Sequence, residues 1–218
     1  MGLLLLVRHG QASFGADDYD VLSPIGWEQG RLLGRHLAEL APSVLLRGSM
    51  RRHRETLDAA IEAAGWQSEI VEDDRWDEFD HLAVVAAYPD LPTGQLDRRA
   101  FQAAFEQATG RWSAGAHDDD YAESFAAFRE RTLAAMTEAA GRAGSGETVV
   151  VVTSGGVVAA LCAALIGIDE ASYAAAWQRF NTVCVNSGVT RVVVGSTGPR
   201  LLTFNEHGHL GPEVLTYR

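Results

Sequence analysis

The stretch Thr148-Val149-Val150-Val151-Val152-Thr153 is an unbroken β-branched run, and Leu3 to Val7 is an unbroken apolar one. Strands of this kind offer no polar face to water, so both belong in a sheet covered on its two sides. Each runs into polar residues and glycine: Arg8-His9-Gly10 after the first, Ser154-Gly155-Gly156 after the second. A third junction of this form, Gly48 to Thr56, follows a short strand at Ser43 to Arg47. Helical spacing fills the intervals. Ser23-Pro24 gives an N-cap and first helical residue for the stripe Ile25, Leu32, Leu33, His36, Leu37 and Leu40, which Pro42 ends. Met50, His53, Leu57, Ala60, Ile61 and Ala64 trace a second helix that Gly65 closes. Tyr121, Phe125, Phe128, Thr132, Met136 and Ala139 mark a third, and helices follow over Val157 to Ile166 and around Glu170 to Arg179. Ser68 to Val71 reads as a strand, and Val189 to Val194 with Arg200 to Phe204 as paired strands. Strands alternating with helices predict one three-layer α/β/α domain over residues 1–218 with a mostly parallel central sheet. Residues 82–120, weakly periodic and acidic at Asp118 to Asp120, read as a partly helical lid or insertion.

Gly26, Gly30 and Gly34 recur every four residues in the first helix, at a cost in helix propensity. That spacing predicts close approach to a neighbour. The net charge of -11 argues against nucleic acid or an anionic membrane as partner, since either needs a basic face. An anionic ligand must therefore be drawn in by a local basic pocket. Cys162 and Cys184 lie in apolar stretches without metal-ligand spacing, which fits core thiols in a reducing compartment. The apolar run at Leu3 lacks the basic flank of a signal peptide, and no stretch has membrane-spanning length. The expectation is a cytoplasmic protein, with a homodimer among the assemblies the sequence permits.

In doubly wound sheets, ligands bind beyond the carboxyl ends of the strands. That rule gathers Arg8, His9, the Gly48 to Thr56 segment and Ser154 at one rim. Arg8 offers a permanent forked cation, and His9 a nucleophile or proton carrier near neutral pH. Arg51, Arg52, His53 and Arg54 cluster at a strand-to-helix junction, where backbone N–H groups already favour an anion. His53, lying on the apolar stripe, reads as a core histidine.

Together these stretches resemble the histidine phosphatase superfamily, also called the phosphoglycerate mutase-like family. Leu5-Leu6-Val7-Arg8-His9-Gly10-Gln11 is similar to its signature, and Leu22 to Gly30 to its next helix. Gly48 to Thr56 resembles its second arginine motif, Arg75-Trp76-Asp77-Glu78 the stretch carrying its acid, and Glu123-Ser124-Phe125 a later helix. The resemblance spans almost the whole chain in the family's order. It implies a phosphoglycerate mutase-like fold and metal-independent, cofactor-free phosphoryl transfer through a phosphohistidine on His9. Arg8 and Arg52 would clamp the phosphoryl oxygens, as electrostatic catalysis of such transfers requires. Glu78 would protonate the leaving oxygen and later activate water, with Asp77 and Asp80 as rival carboxylates. Ser154, Gly155 and Gln11 would complete the phosphate site.

One position departs from the family pattern, which reads Ser-His-Gly-Gly where this chain has Thr153-Ser154-Gly155-Gly156. A serine can donate to phosphate but carries no charge. Losing a charged hydrogen bond, about 1.5 to 3 kcal/mol, would slow the reaction roughly tenfold to somewhat over a hundredfold. His53 or His81 would have to reach in to compensate. The chain therefore reads as a hydrolase of a small phosphomonoester, or alternatively as a regulatory protein that binds phosphate or a phosphometabolite with weak or lost catalysis. A mutase would also need a site that retains its product, and nothing in the sequence identifies one. A serine hydrolase using Ser154 lacks the first glycine of the Gly-x-Ser-x-Gly elbow, because Val152 stands there.

Overall fold

The computed structural model describes residues 1–13, 20–91 and 98–217. Apart from Asp20, the polar turn expected over Gly15 to Asp20 lies outside the described residues, as do residues 92–97 of the expected lid. The strands are β1 Gly2–Arg8, β2 Val44–Arg47, β3 Glu69–Glu72, β4 Thr148–Thr153, β5 Val189–Gly195 and β6 Gly198–Glu206. They form a mixed sheet in the order β3-β2-β4-β1-β5-β6. The first four positions are parallel, and β5 and β6 extend the sheet with antiparallel pairs.

Alternation along the two long apolar runs creates the layers. Leu4, Leu6, Val149 and Val151 enter one core, while Leu5, Val7, Val150 and Val152 enter the other. Helices α1 (Pro24–Leu37) and α2 (Arg51–Ala64) cover the second core through Leu33, Leu37, Leu57 and Ala60. The first is covered by α3 (His81–Ala86), α4 (Arg98–Ser113), α5 (Phe125–Arg142), α6 (Gly155–Leu165) and α7 (Glu170–Val183). The result is an α/β fold with apolar side chains packed on both faces of the sheet.

Local signals set most element ends. The Ser23 hydroxyl accepts from Gly26 N, with Pro24 in the first turn, and Gly65 closes α2 in the left-handed region at φ 72°. Two helix ends are among the boundaries that differ from expectation. α1 stops at Leu37, leaving Leu40 beyond it, and α5 begins only after its N-cap Ser124, so Tyr121 precedes the helix. α4 also emerges within the weakly periodic segment. Its buried stripe is Ala104, Ala108 and Trp112, and alanines carry little hydrophobic signal in a sequence. That stripe makes the segment part of the main core.

The glycine ladder of α1 works as its spacing suggests. A Cβ on Gly34 would lie 2.3 Å from the Ala60 carbonyl oxygen, and one on Gly30 would lie 2.8 Å from Ala59 Cβ. Two helix backbones cannot yield as a flexible side chain can. Gly34→Ala is expected to destabilise the protein by about 3 kcal/mol. A urea midpoint unchanged from wild type would refute this account of the α1–α2 contact.

Candidate active site

The parallel strands present their carboxyl ends on one rim. His9 follows β1, Gly48 to His53 follow β2, Glu78 lies beyond β3, and Ser154 follows β4. Register brings Arg8 opposite Thr153 and Arg47 opposite Val152, so segments far apart in sequence meet.

His9 is 7% exposed, and its backbone N–H donates to the Thr153 carbonyl at 2.8 Å. Its Nδ1 lies 2.7 Å from its neighbour's carbonyl oxygen, on Gly10. A carbonyl only accepts, so Nδ1 carries the proton and Nε2 keeps its lone pair. Burial, then the Arg52 and Arg8 charges, hold the imidazole well below the ordinary histidine range. His9 is therefore a neutral imidazole with an unprotonated nitrogen beside two guanidinium groups.

Those arginines are anchored differently. Arg8 Nη1 donates to the carbonyls of Cys184 and Tyr217, while its buried Nε has no hydrogen-bond partner among the described residues. Arg52 points inward on α2 at 7% exposure, and its Nη1 donates to Asp20 Oδ1 at 2.6 Å. Arg51 and Arg54 face outward, so the basic cluster divides by helix face. Asp20 also accepts from Arg51 N, which seats it at the start of α2.

Three neighbouring carboxylates separate by their partners. Glu78 Oε2 accepts from Gly156 N at 2.9 Å, at the start of α6. Asp80 instead caps α3, accepting from Ala83 N. Asp77 turns to the β2–α2 junction, where it accepts from the N–H groups of Ser49 and Met50. Behind Glu78 stands an aromatic wall: Phe79 stacks on Trp112 at 4.5 Å and meets Phe128 and Trp177 edge-on. Burial there raises the Glu78 carboxyl above its ordinary value, more than Gly156 N–H and the two arginines lower it. A carboxyl that binds its proton more tightly than usual therefore lies at the same rim as an imidazole that binds one less tightly.

Ser154 is fully buried at the N-cap position of α6, with no side-chain capping bond. Its hydroxyl lies 2.7 Å from His53 Nε2. His53 is fully buried too, its ring 5.7 Å from that of His9. The expectation of a core histidine thus holds for burial and misses the polar contact. His81 is half-buried at the start of α3 and is held below its ordinary value by burial and Arg52. Gly155 lies against Arg8, 3.2 Å from its Nε to an added Cβ. Gln11 is tied to α1, its side-chain oxygen accepting from the Ser23 hydroxyl and its N–H donating to Gln29.

The sequence reading missed the supports. Arg131 of α5 donates to the Arg75 and Asp77 carbonyls and pairs with Glu123, which fixes the loop carrying Glu78. Asn186 Nδ2 donates to the His9 carbonyl, and its Oδ1 accepts from the Thr216 hydroxyl, which also receives Gln29 Nε2. The polar Asn186-Ser187-Gly188 turn between apolar residues was the available signal. Among the described residues, no three metal-ligating side chains converge.

Residues 4–207 match the model of the histidine phosphatase superfamily (branch 1), and the chain belongs to that family. A glucosyl-3-phosphoglycerate phosphatase of Mycolicibacterium vanbaalenii is 30% identical over 182 residues, covering 76% of this chain and 74% of that protein. Family membership and this relative support a phosphatase activity. Solved structures share the fold. Bacillus stearothermophilus YhfR has a TM-score of 0.69 at 21% identity, covering 95% of this chain and 98% of its own. A phosphoglycerate mutase of Bacillus anthracis reaches 0.68 at 17% identity, covering 95% and 94%. A mycobacterial glucosyl-3-phosphoglycerate phosphatase, solved with inorganic phosphate, reaches 0.66 at 22% identity, covering 97% and 100%.

Proposed function

We infer that this chain is a metal-independent phosphatase that hydrolyses a small phosphomonoester through a phosphohistidine on His9. The observation that carries the reading is the His9 tautomer: with Nδ1 held on the Gly10 carbonyl, Nε2 is free to attack. In the first step the Nε2–phosphorus bond forms, the ester bond breaks, and Glu78 gives its proton to the departing oxygen. In the second, water attacks phosphorus, Glu78 takes a proton from it, and the His9 bond breaks. Arg8 and Arg52 hold the equatorial oxygens, with Ser154, the Gly155 N–H and Gln11 completing the cradle. An incoming dianion competes with Asp20 for Arg52, which keeps that guanidinium in place before substrate arrives. Helix α4 backs the Glu78 loop through Trp112, in one domain with the rest. Free Cys162 and Cys184 fit a cytoplasmic setting, and among the described residues no helix is long and apolar enough to cross a membrane.

The relative's name points first to glucosyl-3-phosphoglycerates as substrates. Phosphate release should be measured across a panel of these, phosphoserine and sugar phosphates, with an alkaline quench to retain acid-labile phosphate on protein. Turnover of at least one, with a trapped phosphoenzyme, is expected. No release and no trapped phosphate would sink the reading. Saturable phosphate binding without turnover would instead favour the regulatory alternative, which the fully buried Ser154 hydroxyl keeps in play.

A further inference from the structure

Buried polar groups are normally paired, so a bond between the Ser154 hydroxyl and His53 has an ordinary structural explanation. The surroundings go further. His53 Nδ1 is buried without a hydrogen-bond partner among the described residues, yet stands 3.5 Å from Asp77 Oδ1. A small shift would convert that approach into a charge-assisted bond. Gly48 makes room for it: a Cβ there would lie 2.3 Å from both His53 Nδ1 and Asp77 Oδ1. The far end of the chain, Ser154, follows β4 beside the β1 end that carries His9.

Charges of both signs surround His53. Asp77, from the loop after the Asp74–Trp76 turn, and Asp20, from the segment before α1, both favour an imidazolium. Burial and Arg52, its neighbour on α2, oppose one, and His9 faces it from the end of β1 as a neutral ring. Without ligand, burial prevails and His53 is neutral. A phosphate dianion against Arg8, Arg52 and Ser154 would add negative charge where Arg52 now adds positive.

We propose that Asp77, His53 and Ser154 form a third arm of the phosphate site, in which His53 gains a proton as the anion binds. Nδ1–H then donates to Asp77 and Nε2–H to Ser154 Oγ, and the Ser154 hydroxyl proton turns to a phosphoryl oxygen. One proton enters from solvent to form the new N–H bond, and no other covalent bond changes. Positive charge thus reaches the phosphate through serine, from position 53 rather than 154. His53 is a positioning residue, since it touches Ser154 and not the substrate. The inference rests on the reading that phosphate occupies this cluster.

Titration with inorganic phosphate at about pH 8, where a free histidine is neutral, tests it. Calorimetry in buffers of different ionisation heat counts protons taken up, and NMR of isotope-labelled histidine reports the ring states. Wild type is expected to show His53 becoming an imidazolium on binding. His53→Gln should lose that proton uptake and bind phosphate about ten- to a hundredfold more weakly. Ser154→Ala should weaken binding similarly while His53 stays neutral, and His53→Ala/Ser154→His should recover part of the affinity. The wild-type NMR result needs no variant to fold. A His53 ring that stays neutral with phosphate bound overturns the arm, as does undiminished affinity and proton uptake in His53→Gln. Labelling of Ser154 by a fluorophosphonate overturns it as well, by making that serine a nucleophile. If a phosphohistidine is still trapped in those cases, the phosphatase reading survives alone. If His53 takes up the proton and no phosphoenzyme forms, the arm stands and the phosphatase reading falls.

Discussion

His9→Ala is expected to remove turnover by roughly four orders of magnitude or more, the scale seen when a covalent nucleophile is deleted. The structure explains why a neighbour should not substitute. His53 Nε2 is engaged by Ser154, and its ring is fully buried, so it cannot meet a substrate phosphorus as His9 can. Removing the imidazole leaves Arg8 and Arg52 in place, because their anchors are the Cys184 and Tyr217 carbonyls and Asp20. The variant should therefore still bind inorganic phosphate while trapping no acid-labile phosphate. Residual turnover within tenfold of wild type would exclude His9 as the nucleophile.

Glu78→Gln is expected to lose about 10² to 10⁴ in rate on alkyl phosphomonoesters, the usual share of a positioned general acid–base. Substrates with acidic leaving groups, such as aryl phosphates, should lose far less in the first step and accumulate phosphoenzyme, since water activation is also impaired. The pH profile gives an independent check. Burial raises the Glu78 carboxyl, so the protonated acid is lost as pH rises through that raised value, and the rate should fall on the alkaline side. His9 is held well below its ordinary value, so its lone pair is lost only as pH falls through that depressed one. Wild type should show both limbs, and Glu78→Gln should lack the alkaline one. An alkaline limb retained unchanged in the variant would assign the acid to another group.

Much of the candidate site was legible because its residues sit at local junctions. The strand run into Arg8-His9, the basic cluster from Arg51 to Arg54 and the glycine turn after β4 each announce themselves within a few residues. The choice among Asp77, Glu78 and Asp80 did not, because three adjacent carboxylates have the same local chemistry. The three differ in what the fold puts opposite them: the start of α6 for Glu78, the β2–α2 junction for Asp77, and α3 itself for Asp80. The tie from Thr216 through Asn186 to His9 was equally hidden, since its partners are distant in sequence.

The sequence by itself determined the class of fold and the family, because hydrophobic period, caps and glycine turns act over a few residues. Burial of His53 was legible in the same way, from its place on an apolar stripe. Only the tertiary structure decided that this buried ring faces Asp77 on one side and Ser154 on the other. The physical reason is that a hydrophobic stripe specifies that a side chain is removed from water, whereas the identity of its polar partners depends on which strand ends the sheet order brings together.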